Sequence, residues 1–146
     1  MESRLKLKNE MAELEKLHRF MESLGRTLCL SKKCVVETNL ALEEVFSNIV
    51  AYAYEDRQEG FIKISIIPPV NDALVLRIED NGRPFNPLEA AEPELVYDLE
   101  NCGIGGLGIH LVKKLMDHVS YDYREYKNVF EMKKAIPSNC AQTSQI

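Results

Sequence analysis

The sequence predicts an α+β domain, a two-layer sandwich with helices on one face of a mixed, mainly antiparallel sheet. Segments with apolar residues at every second position come in pairs joined by short polar turns. Segments with helical apolar spacing stand apart from those pairs instead of alternating with them. A chain of 146 residues suffices for one hydrophobic core. A doubly wound parallel sheet would need a more regular alternation of strand and helix.

Residues 3–8 alternate Arg4, Lys6 and Lys8 against Leu5 and Leu7, the pattern of an edge strand. Asn9 is placed to cap a helix carrying Met11, Leu14, Leu17, Phe20, Met21 and Leu24, and Gly25 is expected to end it. A longer helix is expected from about Lys33 to Tyr54, with Leu42, Val45, Phe46, Ile49 and Ala53 as its core stripe. Phe61 to Pro68 and Ala73 to Glu79 read as paired strands around a turn at Val70-Asn71-Asp72. Ile62, Ile64 and Ile66 lie on one face of the first; Leu74, Leu76 and Ile78 point inward on the second. Residues 82–106 carry four glycines and three prolines, which predicts a long loop or lid. A third helix is expected from Leu107 to about His118. Strands over Val119–Arg124 and Val129–Ala135 follow, joined at Glu125-Tyr126-Lys127. The domain is expected to span 1–136, with 137–146 a flexible polar tail.

The net charge of −5 and the lack of a basic block disfavour nucleic acid as the main partner. No segment is apolar enough to cross a membrane, and the first residues lack the core of a signal peptide, so a cytoplasmic protein is expected. Cys29, Cys34, Cys102 and Cys140 show no zinc spacing and read as scattered free thiols. His18 reads as a surface or boundary residue.

Three constellations carry chemistry. Glu44 and Asn48 are one helical turn apart, on a face away from the core stripe. An amide oxygen there can ligate Mg²⁺, and a carboxylate can take a proton from an attacking hydroxyl. Alone, the pair reads better as an ordinary polar helix face. Glu43 points elsewhere and serves as the control. Asp80 has the inward parity of Leu74, Leu76 and Ile78, so its carboxylate needs a donor. The exocyclic amine of adenine would serve, with Gly82 letting the base approach the backbone. Asp80-Asn81-Gly82 is also a strong turn sequence, but a turn leaves the inward parity unexplained. Gly103 to Gly108 opens a helix, where bare N–H groups and the helix dipole suit phosphate.

In this order the constellations resemble the ATPase domain shared by gyrase, the Hsp90 chaperone, histidine kinases and the mismatch-repair protein MutL. The chain looks most similar to the anti-sigma-factor serine/threonine kinases of that group. The family's N-box corresponds to Glu44 through Asn48. Its adenine motif corresponds to Asp80, Gly82, Pro84 and Phe85, and its phosphate motif to Gly106, Leu107 and Gly108. Leu115-Met116-Asp117 and Asn128-Val129 also look like this branch. The resemblance implies a histidine-kinase-like ATPase fold, ATP as ligand, Asn48 on Mg²⁺ and Glu44 as base. It implies an anti-sigma-factor antagonist as substrate and a sigma factor as sequestered partner. An exposed first strand and helix could also pair two chains as a homodimer. Two positions depart from the branch. Tyr52 stands where a His is common, and the alignment puts Glu131 where a Thr lies near adenine, so Glu131 is expected to weaken nucleotide binding. The alternative function is a non-catalytic module that sequesters a partner. A pure binder has no need of Glu44.

Overall fold

The computed structural model describes residues 2–54, 60–70, 72–89 and 106–136. Five strands form one sheet: β1 (Ser3–Lys8), β2 (Phe61–Val70), β3 (Ala73–Asp80), β4 (His118–Arg124) and β5 (Lys127–Ala135). Their order across the sheet is β1-β2-β3-β5-β4. Every pairing among the described residues is antiparallel, so no parallel component accompanies the expected antiparallel majority. Three helices, α1 (Leu14–Thr27), α2 (Lys32–Asn48) and α3 (Gly106–Leu115), complete the α+β fold. Residues 90–105, which hold most of the expected lid, and the expected tail at 137–146 lie outside the described residues.

Alternation sets the layers. Leu7, Ile62, Ile64, Ile66, Leu74, Leu76, Ile78, Phe130 and Met132 are all buried. Their partners in the core are Leu17, Met21, Ala41, Leu42, Val45, Phe46, Val112 and Met116 from the helices. The β2–β3 hairpin is in register from Ile62↔Asp80 to Ile67↔Val75 and shifts toward Val70↔Ala73. Asp72 takes φ 60 in the turn, a conformation that Asp tolerates. The β4–β5 turn has positive φ at both Glu125 and Tyr126 (54° and 63°), the handedness that matches strand twist.

Three local expectations are corrected. Gly25 does not end α1; it is buried inside the helix, where an added Cβ would lie 2.5 Å from Cγ2 of Val35 on α2. Its missing side chain lets the two helices approach. The left-handed stop falls to Cys29 (φ 57), with Leu30 N–H donating to the Gly25 carbonyl across the turn. Asn9 does not cap the helix, whose start is a 3₁₀ turn at Met11–Glu13. Its side-chain oxygen instead accepts from Gly60 N–H at 3.2 Å, while its own N–H donates back to Gly60. The long helix stops at Asn48 and continues as a π turn, Ile49–Ala53.

The end of the sheet farther from Asp80 is tied to the helices by Lys134. This lysine lies on the inner face, and its Nζ donates to the Leu115 carbonyl at the end of α3 at 2.8 Å. It also lies 3.5 Å from Glu37 of α2. One ammonium thereby holds α2, α3 and β5 together. Lys134→Met keeps the aliphatic stem but leaves that carbonyl without its donor. We expect a loss of about 1–3 kcal/mol of stability, the cost of a stranded buried polar group, read from the urea midpoint. An unchanged midpoint would show that this lysine is dispensable to the fold.

Candidate functional site

The end of β3 carries Asp80, 4% exposed, as its inward parity requires. Its Oδ1 accepts from Gly82 N–H and from Asn128 Nδ2, each at 2.9 Å. Among the described residues nothing donates to Oδ2. Burial holds the carboxyl above the usual range, against the lowering pull of Asn128 and the Gly82 N–H.

Asn128 is the partner that sequence reasoning missed. It sits directly across from Asp80 in the β3–β5 register and is buried. Besides Asp80, its Nδ2 donates to the Arg83 carbonyl at 2.8 Å. Its Oδ1 accepts from Phe85 N–H at 2.9 Å and from the Tyr121 hydroxyl. Both amide hydrogens and both oxygen lone pairs are therefore used. The position expected to face adenine, Glu131, is instead three residues along and of opposite parity. It pairs with Arg77, Nη2 to Oε2 at 3.1 Å, on the helix-free face of the sheet. The expected weakening by Glu131 therefore has no geometric basis. Strand alternation could have excluded Glu131 once Phe130 and Met132 were assigned to the core.

The loop after Asp80 docks on the π turn. Arg83 N–H donates to the Ala53 carbonyl at 3.0 Å, and Arg83 Nε to the Tyr52 carbonyl at 2.8 Å. A Cβ on Gly82 would stand 2.4 Å from the Ala53 carbonyl oxygen. Gly82 is therefore required by this contact with protein backbone, whatever ligand approaches it. The Phe85 ring lies 5.4 Å from that of Tyr52, centroid to centroid. Tyr54, buried just after the π turn, accepts from Asn81 N–H at 3.0 Å and lies 3.1 Å from the Phe61 carbonyl. Its hydroxyl is pushed up to about 12, chiefly by burial. Tyr52 and Ala53 stand in the last turn, where helix carbonyls lack an internal partner, and the loop takes them.

Glu44 and Asn48 lie on α2, on the approach to the π turn. Glu44 is half-buried, and burial first, then the neighbouring Glu43 charge, push its carboxyl up. Glu43 points to α1, with Oε2 at 3.3 Å from Nε2 of His18. Asn48 is buried, and among the described residues its Nδ2 has no hydrogen-bond partner. An orphaned buried carboxamide costs about 1–3 kcal/mol unless something meets it. Turned about its last bond, the same amide presents its oxygen. Like Asp80 Oδ2, this amide could be met by a polar ligand. No cluster of three or more His, Cys, Asp or Glu side chains suited to a metal occurs among the described residues. A divalent ion would thus rely on Asn48, ligand oxygens and water. Gly106, Leu107 and Gly108 form the first turn of α3, which packs against α2, so their N–H groups open the helix as expected.

Asp80, Gly82 and Phe85 are thus joined directly through Asn128 and the π turn. Glu44 and Asn48 share the helix that ends in that turn, with no direct bond to Asp80 among the described residues. Replacing Asn128 by Ala removes four bonds and leaves Asp80 buried with one donor fewer. We expect a stability loss of about 1.5–3 kcal/mol. Asn128→Asp sets two carboxylates together, which hold a proton more tightly in the folded state. Its stability should therefore fall as pH rises and recover on acidification, read from urea midpoints across that range. A wild-type midpoint for Asn128→Ala would show that the amide does not hold the loop.

Comparison with known proteins agrees with this geometry. The family model described as "Histidine kinase-like ATPase domain" matches residues 7–134. The serine-protein kinase RsbW of Listeria monocytogenes serovar 1/2a is 33% identical over 100 residues, 65% of this chain and 62% of that protein. The serine/threonine-protein kinase BtrW of Bordetella bronchiseptica is 29% identical over 86 residues, 59% of this chain and 60% of its own length. The matched segments span less than two thirds of these relatives. Among solved structures, the histidine kinase domain of the Erythrobacter litoralis EL346 blue-light activated histidine kinase aligns over 91% of this chain and 63% of its own. Its TM-score is 0.55 at 17% identity, a likeness of fold. With a family match running from β1 into β5, the chain belongs to the histidine kinase-like ATPase domain family.

Proposed function

We propose that this chain is an ATP-dependent serine/threonine protein kinase of the anti-sigma-factor type. Its substrate would be an antagonist protein, and its sequestered partner a cytoplasmic sigma factor. The observation that carries the reading is Asn48: a buried amide whose nitrogen has no partner among the described residues, one turn after a half-buried carboxylate. Structure alone gains nothing from that arrangement, whereas a nucleotide and metal would satisfy it. The names of the relatives, serine and serine/threonine kinases, support the reaction class.

In this reading Asp80 would meet the adenine amine through Oδ2, the oxygen that Asn128 and Gly82 leave to a ligand. Asn48 would face Mg²⁺, and the α3 amino terminus the phosphates. When bound, Mg-ATP supplies the phosphoryl group. The protein's own work is positioning and proton handling. Asn128 and the Ala53 carbonyl hold the loop still. Glu44 accepts the proton of the attacking hydroxyl, and its raised affinity for protons makes it a stronger base than a solvated carboxylate.

Two experiments test this. Nucleotide with Mg²⁺ should raise thermal stability, by about 2.7 kcal/mol at a hundredfold excess over the dissociation constant. Asp80→Asn should remove about 1.5–3 kcal/mol of adenine affinity, since an amide accepts more weakly than a carboxylate. No shift at millimolar nucleotide would end the ATP reading.

Glu44→Gln should keep nucleotide yet lose about 10²–10⁴-fold in transfer to an antagonist protein, while Asn48→Ala loses Mg²⁺-dependent binding too. Glu43→Gln should cost little, because Glu43 faces His18 and acts on Glu44 only through its charge. Phosphotransfer measured beside nucleotide affinity separates these outcomes. Wild-type behaviour in all three variants, with partner binding intact, would make the chain a sequestering module and not a kinase.

A further inference from the structure

The face of the sheet that carries no helix has its own chemistry. Strand parity puts Arg4, Lys6, Lys8, Lys63, Arg77, Arg124, Lys127 and Lys133 on it, against Glu79, Asp122 and Glu131, although the whole chain has a net charge of −5. The cations are not spread to minimise repulsion. Lys6 lies directly across from Lys63 in the β1–β2 register, and Lys127 directly across from Arg124 in the β4–β5 register. Like charges placed opposite each other destabilise a sheet. Both pairs occur at the same end of the face, behind the Asp80 loop. A hollow of about 410 Å³ opens there, bordered by Lys6, Lys63 and Lys127, by Glu79, Asp80 and Asn81 at the end of β3, and by Phe61. Phe61 is 48% exposed, with Lys6 Nζ 4.1 Å from its ring centroid. Tyr126, beside Lys127 at the hairpin tip, is 85% exposed. Among the described residues neither Lys6 nor Lys127 has a carboxylate partner, while Lys63 lies 3.8 Å from Glu79.

We propose that this hollow docks an acidic segment of a protein partner, whose carboxylates sit among Lys6, Lys63 and Lys127 and whose apolar side chain lies on Phe61. Facing like charges are relieved by an anion between them, and the part of the Phe61 ring that Lys6 leaves exposed can be covered by an apolar group. A protein segment fits better than a nucleic acid. Glu79 stands inside the hollow, where a continuous run of phosphates would meet it. The overall negative charge also opposes a long polyanion more than a short acidic stretch. The hollow opens on the helix-free face, shares Asp80 with the proposed nucleotide site at its border, and requires no kinase activity. It borders Asn81, so its occupant touches the back of the loop that carries Asp80 and Gly82.

The test uses the full chain, without nucleotide, and a dye-labelled peptide alternating Glu and Phe at low ionic strength. Saturable binding is expected by fluorescence anisotropy, with amide shifts in NMR spectra centred on Phe61, Asn81 and Lys127. The double variant Lys6→Glu/Lys127→Glu should weaken it by about tenfold or more. Lys33→Glu, on α2, should not. Unchanged circular dichroism and urea midpoints verify folding, and the milder Lys6→Ala/Lys127→Ala should give an intermediate loss. The proposal is overturned if the peptide does not bind, or binds the reversed variant equally well. It is also overturned if a single-stranded oligonucleotide or an anionic vesicle binds the same face more tightly than the peptide. Because no step involves ATP, a failed kinase reading leaves the outcome unaffected.

Discussion

The site is organised around one buried carboxylate and the carboxamide that holds it. Asp80 sits at the end of a core strand, where an unpartnered charge would be too costly to keep. Asn128 meets it from the neighbouring strand and spends its remaining capacity on Arg83, Phe85 and Tyr121. An arginine or lysine in its place would neutralise Asp80 and remove the reason for a ligand to bind there. A neutral amide satisfies one oxygen and leaves the charge. The loop at 81–85 inherits its conformation from this arrangement, and the π turn completes its support. The sheet register is therefore part of the site, because shifting β5 by one residue would turn Asn128 to the opposite face.

Much of the fold was legible because burial in a sheet follows simple alternation. Ile62, Ile64 and Ile66, then Leu74, Leu76 and Ile78, marked their strands and the inward direction of Asp80. The helical stripe of Leu42, Val45, Phe46 and Ile49 marked α2 in the same way. The features that sequence reading missed depend on nonlocal geometry. Which β5 residue opposes Asp80 is decided by the register between strands some fifty positions apart, and no local pattern encodes it. Gly25 looked like a stop signal because the proximity of Val35 is a property of two packed helices. The change from α to π geometry at Asn48 has no local signal either, since the apolar stripe itself continues to Ala53.

Two adjacent acids on α2 show how little of a residue's role resides in its identity. Glu43 and Glu44 differ by one step along the helix, about 100° of rotation. One rotates to His18 on α1, at a solvent-accessible contact. The other loses part of its hydration and gains affinity for a proton. The first raises the proton affinity of the second simply by being charged nearby, so a residue outside the proposed chemistry still tunes it.

The docking of the Asp80 loop on the carbonyls of Tyr52 and Ala53 has a thermodynamic consequence. One helix carries the proposed base, the unpartnered amide and, at its end, the acceptors that hold the loop. A molecule that shifts the end of α2 alters the free energy of holding the loop. A molecule seated on the loop alters the cost of shifting α2 by the same amount. Linkage makes these effects equal, so any coupling between a protein bound near α2 and a base bound at Asp80 operates in both directions with the same factor.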